Sequence, residues 1–254
     1  MKKVYQNLAP VYDAFMADAD YDAWAAYLAA FIRDAVTEET PRVVDCGCGT
    51  GTLMLRLLES GMAVTGLDRS LEMLQVAAEK LRKAGFVKAE LVCEDMCQLS
   101  VHRPVDAIVS ACDCVNYLLT DKDVFRFFRS AYAALKPGGM LLFDISSVYK
   151  LSMLLNGYCF GEALTDYAYL CNNWFDVESA RLQMDLTIFT RETNDHYVRA
   201  EETHFQRAYE EETLIDGLFS AGFTAIKTYA AFTKNAPGST SERIQFVSRR
   251  PQHG

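Results

Sequence analysis

Val43-Val44-Asp45-Cys46-Gly47-Cys48-Gly49-Thr50-Gly51 decides how the rest of this chain is read. Two β-branched residues run into an acid, three glycines follow at alternate positions, and a helical run starts at about Thr52. This pattern predicts a buried strand ending in a loop so tight that a ligand touches bare backbone. Loops that hold dinucleotides or nucleotide phosphates offer N–H groups and a helix N-terminus to negative charge. A carboxylate at Asp45 repels a pyrophosphate and welcomes a cation. The stretch points away from a nicotinamide dinucleotide and toward a nucleoside carrying positive charge.

Outward from the loop, strand and helix alternate. Asp20 to Val36 is apolar at helical spacing, with Trp24, Tyr27, Leu28, Phe31, Ile32 and Ala35 on one face. Arg42 to Cys46 reads as the first strand, Thr52 to Ser60 as a helix, and Ala63 to Leu67 as a strand ending at Asp68. Ser70 caps a helix through Lys83 that turns Leu71, Leu74, Ala77, Ala78 and Leu81 inward. Ala89 to Cys93, Val105 to Ser110 and Met140 to Ile145 are further strands, with a helix from Asp121 to Leu135. The alternation predicts a doubly wound, Rossmann-like α/β sheet of seven mostly parallel strands, with helices on both faces.

After Ser147 the period changes to two. Tyr158 to Phe160, Asp166 to Phe175, Arg181 to Arg191 and His196 to Arg207 read as strands of an antiparallel meander. Turns at Asp176-Val177-Glu178-Ser179 and Glu192-Thr193-Asn194-Asp195 separate the later ones. Glu210 to Ala221 is then a helix capped by Gly222, and Phe223 to Ala230 and Arg243 to Ser248 are strands. The expected division is therefore a nucleotide-type domain at 1–146 and 210–254, interrupted by an antiparallel lid at 147–209.

The 254 residues suffice for one sizeable domain, and 50% are hydrophobic. No apolar run reaches eighteen residues, and Met1-Lys2-Lys3-Val4-Tyr5-Gln6-Asn7 leads into no signal-type segment, so the expectation is a cytoplasmic protein with no membrane partner. The eight cysteines fall in C-x-C and C-x₃-C spacings rather than the C-x₂-C pairs of a zinc ribbon. They read as reduced packing residues, with no metal. A net charge of −9 argues against unaided binding to a phosphate backbone.

In its ordered features the chain resembles a class I S-adenosylmethionine-dependent methyltransferase. The likeness rests on the glycine loop, on Gly66-Leu67-Asp68, on Ser70-Leu71-Glu72-Met73-Leu74, on Glu94-Asp95-Met96 and on Leu135-Lys136-Pro137-Gly138-Gly139. A glycine pattern alone has many false positives; five elements in order and spacing are far more specific. Tyr5-Gln6-Asn7-Leu8-Ala9-Pro10-Val11-Tyr12-Asp13 also resembles the N-terminus of small-molecule methyltransferases, including sugar N-methyltransferases that carry an antiparallel lid.

The resemblance implies S-adenosylmethionine as methyl donor, S-adenosylhomocysteine as product, and N or O of a small molecule as acceptor. It assigns the ribose hydroxyls to Asp68, the adenine amino group to Asp95 and the ring face to Met96. Gly47, Gly49 and Gly51 permit close approach of the methionine tail, beside Cys48, and Asp45 favours its ammonium. Arg69, Met73, Cys112 and Tyr5 belong to the same surroundings, and Tyr12 closes over the sulfonium. For the acceptor side, Tyr12, Asn116, His204 and Arg207 are the candidates. The plain alternatives are packing aromatics for the two tyrosines, a surface histidine for His204, and a pairing of Arg207 with Glu210 or Glu211. Tyr117, flanked by Val115 and Leu118, reads as core, and the alternating aromatics of the lid read more often as sheet core than as pocket.

Three other functions share parts of this pattern. A dinucleotide dehydrogenase wants glycine where Thr52 stands. An RNA methyltransferase shares the cofactor domain, but Asp113-Cys114-Val115-Asn116-Tyr117 lacks the Asn-Pro-Pro-Tyr of adenine methylation. The last is a cofactor-binding interaction protein without catalysis. Monomer and homodimer both remain open, since exposed lid strands could pair between copies.

Overall fold

The computed structural model of the protein describes residues 5–192 and 196–252. The N-terminal segment turns through Ala9–Val11 into a one-turn helix, α1 (Tyr12–Phe15), and then α2 (Tyr21–Ala35), whose N-cap Asp20 accepts the Ala23 N–H. β1 (Arg42–Cys46), α3 (Thr52–Glu59), β2 (Ala63–Asp68), α4 (Leu71–Lys83), β3 (Glu90–Cys93), β4 (Val105–Ser110), α5 (Asp121–Ala134) and β5 (Leu135–Ser146) follow. β6 (Cys159–Ala163), β7 (Tyr167–Asp176), β8 (Arg181–Arg191) and β9 (Tyr197–Arg207) come next, and α6 (Glu211–Ser220), β10 (Thr224–Ala230) and β11 (Arg243–Arg249) complete the chain.

Seven strands form one sheet in the order β10-β11-β5-β4-β1-β2-β3, parallel except where β11 pairs antiparallel with β5 and β10. Both faces are covered, which is why Val43 and Val44 are both apolar on one strand. Val43 joins a core with Leu28, Ile32, Leu53 and Leu57 from α2 and α3. Val44 joins the opposite core with Phe127, Phe128, Leu214 and Leu218 from α5 and α6. The strand order reverses between β1 and β4, and open α/β sheets bind ligands at the carboxyl ends of strands beside such a reversal.

The four strands β6-β7-β8-β9 form a separate antiparallel sheet. Its inward residues Cys171, Leu186 and Ile188 pack on Leu8, Tyr12 and Phe15 of the N-terminal segment. Trp174 and Tyr158 are largely exposed, while Phe160 and Tyr169 pack into this second core.

Some boundaries differ from the sequence reading. β5 starts at Leu135 rather than Met140, because Gly138 and Gly139 continue pairing with Arg250 beyond the end of β11. Short turns at Met96–Gln98, Cys114–Tyr117 and Lys150–Leu154 went unread, being too brief for any periodicity. Thr193, Asn194 and Asp195 of the last foreseen turn lie outside the described residues. Among the described residues no helix is long and apolar enough to cross a membrane. All eight cysteines are free.

Candidate active site

The glycine loop is pinned to the end of β2. Gly47 N and Cys48 N both donate to Leu67 O, at 2.7 and 3.0 Å. Asp68 then spans two turns, accepting Gly49 N at 2.9 Å and Ser70 N at 2.8 Å. Each carboxylate oxygen has a second lone pair, so two acceptor positions remain for a ligand. Ser70 caps α4 as expected, accepting the N–H of the buried Met73 at 3.2 Å, and Arg69 projects outward. Asp95 accepts Cys97 N at 2.9 Å and so caps the turn that carries Met96.

Two glycines of the loop behave differently. Gly47 has φ +77°, and a Cβ there would stand 2.6 Å from Cys114 Sγ, whereas a Cβ on Gly49 would meet nothing within 4 Å. Gly47→Ala is therefore expected to cost about 2 kcal/mol from left-handed backbone and steric conflict together. Cys114→Ala in the same chain should recover part of that loss in a chemical denaturation series, and the same rescue should fail if the cost is backbone alone.

Asp45 is buried at the end of β1, and its Oδ2 has no hydrogen-bond partner among the described residues. Burial, and then the charge of Asp68, push its carboxyl up to about 7. It borders a space of about 30 Å³ with Tyr12, Tyr21, Gly47, Gly49 and Cys112. A buried carboxylate with an unpartnered lone pair is costly unless a cation answers it.

The N-terminal strap lies over this space and is fastened at both ends. Asp13 accepts Thr50 Oγ1 at 2.6 Å and pairs with Lys80 Nζ at 2.7 Å, tying the strap to the glycine loop and α4. At the other end Glu202 of β9 accepts the N–H groups of Tyr5, Asn7 and Leu8, at 2.7, 2.5 and 3.2 Å. The Tyr5 ring then sits 6.1 Å from Tyr12, 5.9 Å from Tyr117 and 4.9 Å from His204. Burial pushes the hydroxyls of Tyr5, Tyr12 and Tyr117 upward, so all three stay neutral.

A second polar cluster borders the first. After β4 the chain passes through left-handed backbone at Cys112 (φ +59°) and Asp113 (φ +53°), which turns Asp113 toward β5 and β11. Asp113 meets Arg243 at 2.6 Å and Gln206 at 2.5 Å, while Arg243 also grips Asp144. Burial lifts Asp144; the same burial acts on Asp113, but Arg243 and Lys150 hold Asp113 low.

A methyltransferase-domain sequence profile matches residues 43–139. A putative methyltransferase of Geobacillus sp. (strain WCH70) is 34% identical over 246 residues, covering 97% of this chain and 99% of the relative. The crystal structure of a S-adenosylmethionine-dependent methyltransferase from Clostridium acetobutylicum ATCC 824 superposes with TM-score 0.86 at 28% identity, covering 98% of this chain and 100% of that one. The sugar N-methyltransferase KedS8 from Streptoalloteichus sp. ATCC 53650 shares the fold, with TM-score 0.79, 18% identity, and 95% and 93% coverage. The chain belongs to the S-adenosylmethionine-dependent methyltransferases.

Within the methyltransferase, the candidate residues separate into two groups. Asp45, Cys48, Asp68, Met96, Cys112, the glycines, Tyr5, Tyr12 and His204 gather around the loop and its roof. Asn116 does not serve there: it is fully buried, donating to Ser146 O and Arg207 O and accepting Ser146 N. With its amide engaged by backbone, Asn116 staples β5 to β9. Arg207 also faces elsewhere, pairing with Asp121 at 3.0 Å and stacking over Tyr209, not with Glu210 or Glu211. His204 is buried rather than a surface histidine. Tyr117 leaves the core and joins the roof.

Glu202 and Arg243 escaped the sequence reading. Glu202 lies two residues from His204 on one strand, so period-two geometry already places both on one face. For Arg243 no local signal existed, since its acids stand 130 and 99 positions away.

Proposed function

We propose that this methyltransferase methylates N or O of a small molecule enclosed between the α/β body and the antiparallel lid. The observation that carries this reading is the unanswered Asp45 carboxyl oxygen beside the glycine loop, beneath a roof of tyrosines. Asp45 would take the ammonium of the cofactor's amino-acid tail, with Cys48 and Cys112 flanking it. Asp68 would hold the ribose hydroxyls, supported by Arg69 and Met73 in the turn after it. Asp95 would accept the adenine amino group, and Met96 would cover the ring. Tyr5 and Tyr12 offer aromatic faces to a sulfonium, an attraction of up to about 2 kcal/mol when desolvated. When bound, S-adenosylmethionine would supply an electrophilic methyl carbon and a thioether leaving group. The chain's own part is chiefly to hold the partners in line and exclude water.

The net charge of −9 and the pairing of most cations near the loop favour a small acceptor over RNA. Arg42, Lys88 and Arg103 have no ion-pair partner among the described residues, and they line a cleft of about 750 Å³. That cleft lies at the strand ends opposite the glycine loop, so a phosphate backbone held there would sit far from the methyl donor. Nearer the loop, Lys80, Arg207 and Arg243 are each neutralised by carboxylates, which leaves Arg69 beside Asp68 and Lys150 near Asp113 without an ion-pair partner among the described residues. Calorimetry with S-adenosylmethionine, followed by radiolabelled transfer into a metabolite extract and into total RNA, tests the proposal. Binding with label in the low-mass fraction is expected. Absent binding, or label confined to RNA, would refute it.

A further inference from the structure

β9 carries Glu202, His204 and Gln206 on its buried face, each 4 or 5% exposed. A carboxylate and an imidazole in such a place need partners. Glu202 has four donors: the N–H groups of Tyr5, Asn7 and Leu8, and His204 Nε2 at 3.2 Å. An ionised carboxylate only accepts, so the Nε2 of His204 must carry the proton. Its Nδ1 lone pair then faces the Tyr117 hydroxyl at 3.4 Å. Tyr117 in turn packs against the Tyr5 ring of the strap, centroids 5.9 Å apart. The order is that of a reacting hydroxyl, a base and a group that orients the base.

Resting on the function proposed above, we infer that Tyr117, His204 and Glu202 form a proton relay on the acceptor side, with Glu202 as the positioning residue that readies it when the N-terminal strap is seated. The proton balance is simple. Once the acceptor's lone pair has taken the methyl group, its surplus N–H or O–H proton passes to the Tyr117 oxygen. The phenolic proton moves to His204 Nδ1, and the resulting imidazolium is held by the Glu202 carboxylate. With the strap seated, backbone donors already satisfy the Glu202 charge, so the imidazolium gives its proton up to solvent and the relay resets.

The strap contacts explain the coupling. With Tyr5, Asn7 and Leu8 donating, the buried charge of Glu202 is satisfied, and His204 can stay neutral with Nδ1 free. If the strap leaves, three of four donors go with it. The carboxylate then draws a second proton onto the imidazole, which closes the relay. The remaining titratable groups around the pair do not compete for that proton. Burial holds Tyr5 and Tyr12 of the strap, Cys114 after β4 and Cys171 of β7 in their neutral forms. Asp113 is engaged by Arg243 and Gln206. Burial tends to raise Glu202 itself, but its bonds from His204, Asn7 and Tyr5 outweigh that and hold it below the usual range.

Long-range ¹H–¹⁵N correlation spectra of the histidine rings read this without a known acceptor. The full chain is used, with His204 assigned through His204→Gln. In wild type the neutral ring of His204 is expected as the Nε2–H tautomer. Asn7→Pro deletes one N–H donor to Glu202 and should raise the ratio of imidazolium to imidazole about tenfold, the effect of one charge-assisted hydrogen bond. Glu202→Gln should abolish both the tautomer preference and that response. An Nδ1–H tautomer in wild type, or a ring indifferent to both variants, would overturn the relay. S-adenosylhomocysteine binding, measured alongside, reports on the proposed function separately, because the ring spectra are read in the free chain as well.

Discussion

Asp45→Asn is expected to make the free protein more stable at pH 8 while weakening its hold on S-adenosylmethionine at least about tenfold. Burial and Asp68 push the Asp45 carboxyl up to about 7, whereas an unfolded chain ionises it near the ordinary aspartate value of about 3.9. Between those limits the folded state binds more protons than the unfolded state, so stability falls as pH rises through that window. Three units correspond to roughly 4 kcal/mol, and about half of this is expected on replacement, because an amide must also be desolvated. For a chain of this size that is a rise in melting temperature of roughly 4–8 °C at pH 8, shrinking toward nothing at pH 4. The same carboxylate is the group that would answer the cofactor's ammonium, so affinity moves the opposite way. Scanning calorimetry at the two pH values and titration with the cofactor decide the matter. A variant that loses stability at pH 8 would show that Asp45 is a structural acid.

Arg243→Ala is expected to destabilise by about 3–5 kcal/mol, since removing one partner leaves two buried carboxylates facing each other. Arg243 joins Asp113 of the turn after β4 to Asp144 of β5 and lies over the Trp24 ring at 5.4 Å. Asp113 is held low in the folded state, so its contribution is present at neutral pH and is lost as pH falls through its folded value. In the variant the repulsion eases on acidification, so the deficit against wild type should shrink between pH 8 and pH 5. Adding Asp113→Asn and Asp144→Asn to Arg243→Met should restore much of the loss in urea denaturation. A deficit that ignores both pH and these partners would mean that packing on Trp24, not charge, was removed.

Much of the site was legible because its signals are local. A strand that must be apolar on both faces, a loop that must admit left-handed backbone, and an acid at a strand end all arise from neighbours in sequence. Asp45, Gly47, Asp68 and Ser70 fall in this class, and so does the alternation that distinguishes the parallel sheet from the lid. His204 was drawn from the end of a lid strand by residue type alone; its burial and its partners were not legible there. Asn116 and Arg207 looked reactive for the same reason of type. Their amide and guanidinium groups proved to be engaged by β5, β9 and α5, contacts that no spacing along the chain foretells.

By itself the sequence determined the order of strands and helices and the motifs that mark the family, because period and loop chemistry act over a few residues. Tertiary structure alone decided what roofs the glycine loop. Glu202 reaches back nearly two hundred positions to fasten Tyr5, and Arg243 gathers acids from two other strands. A buried charge must find its partner wherever the fold brings one within reach, and sequence distance has no part in that requirement.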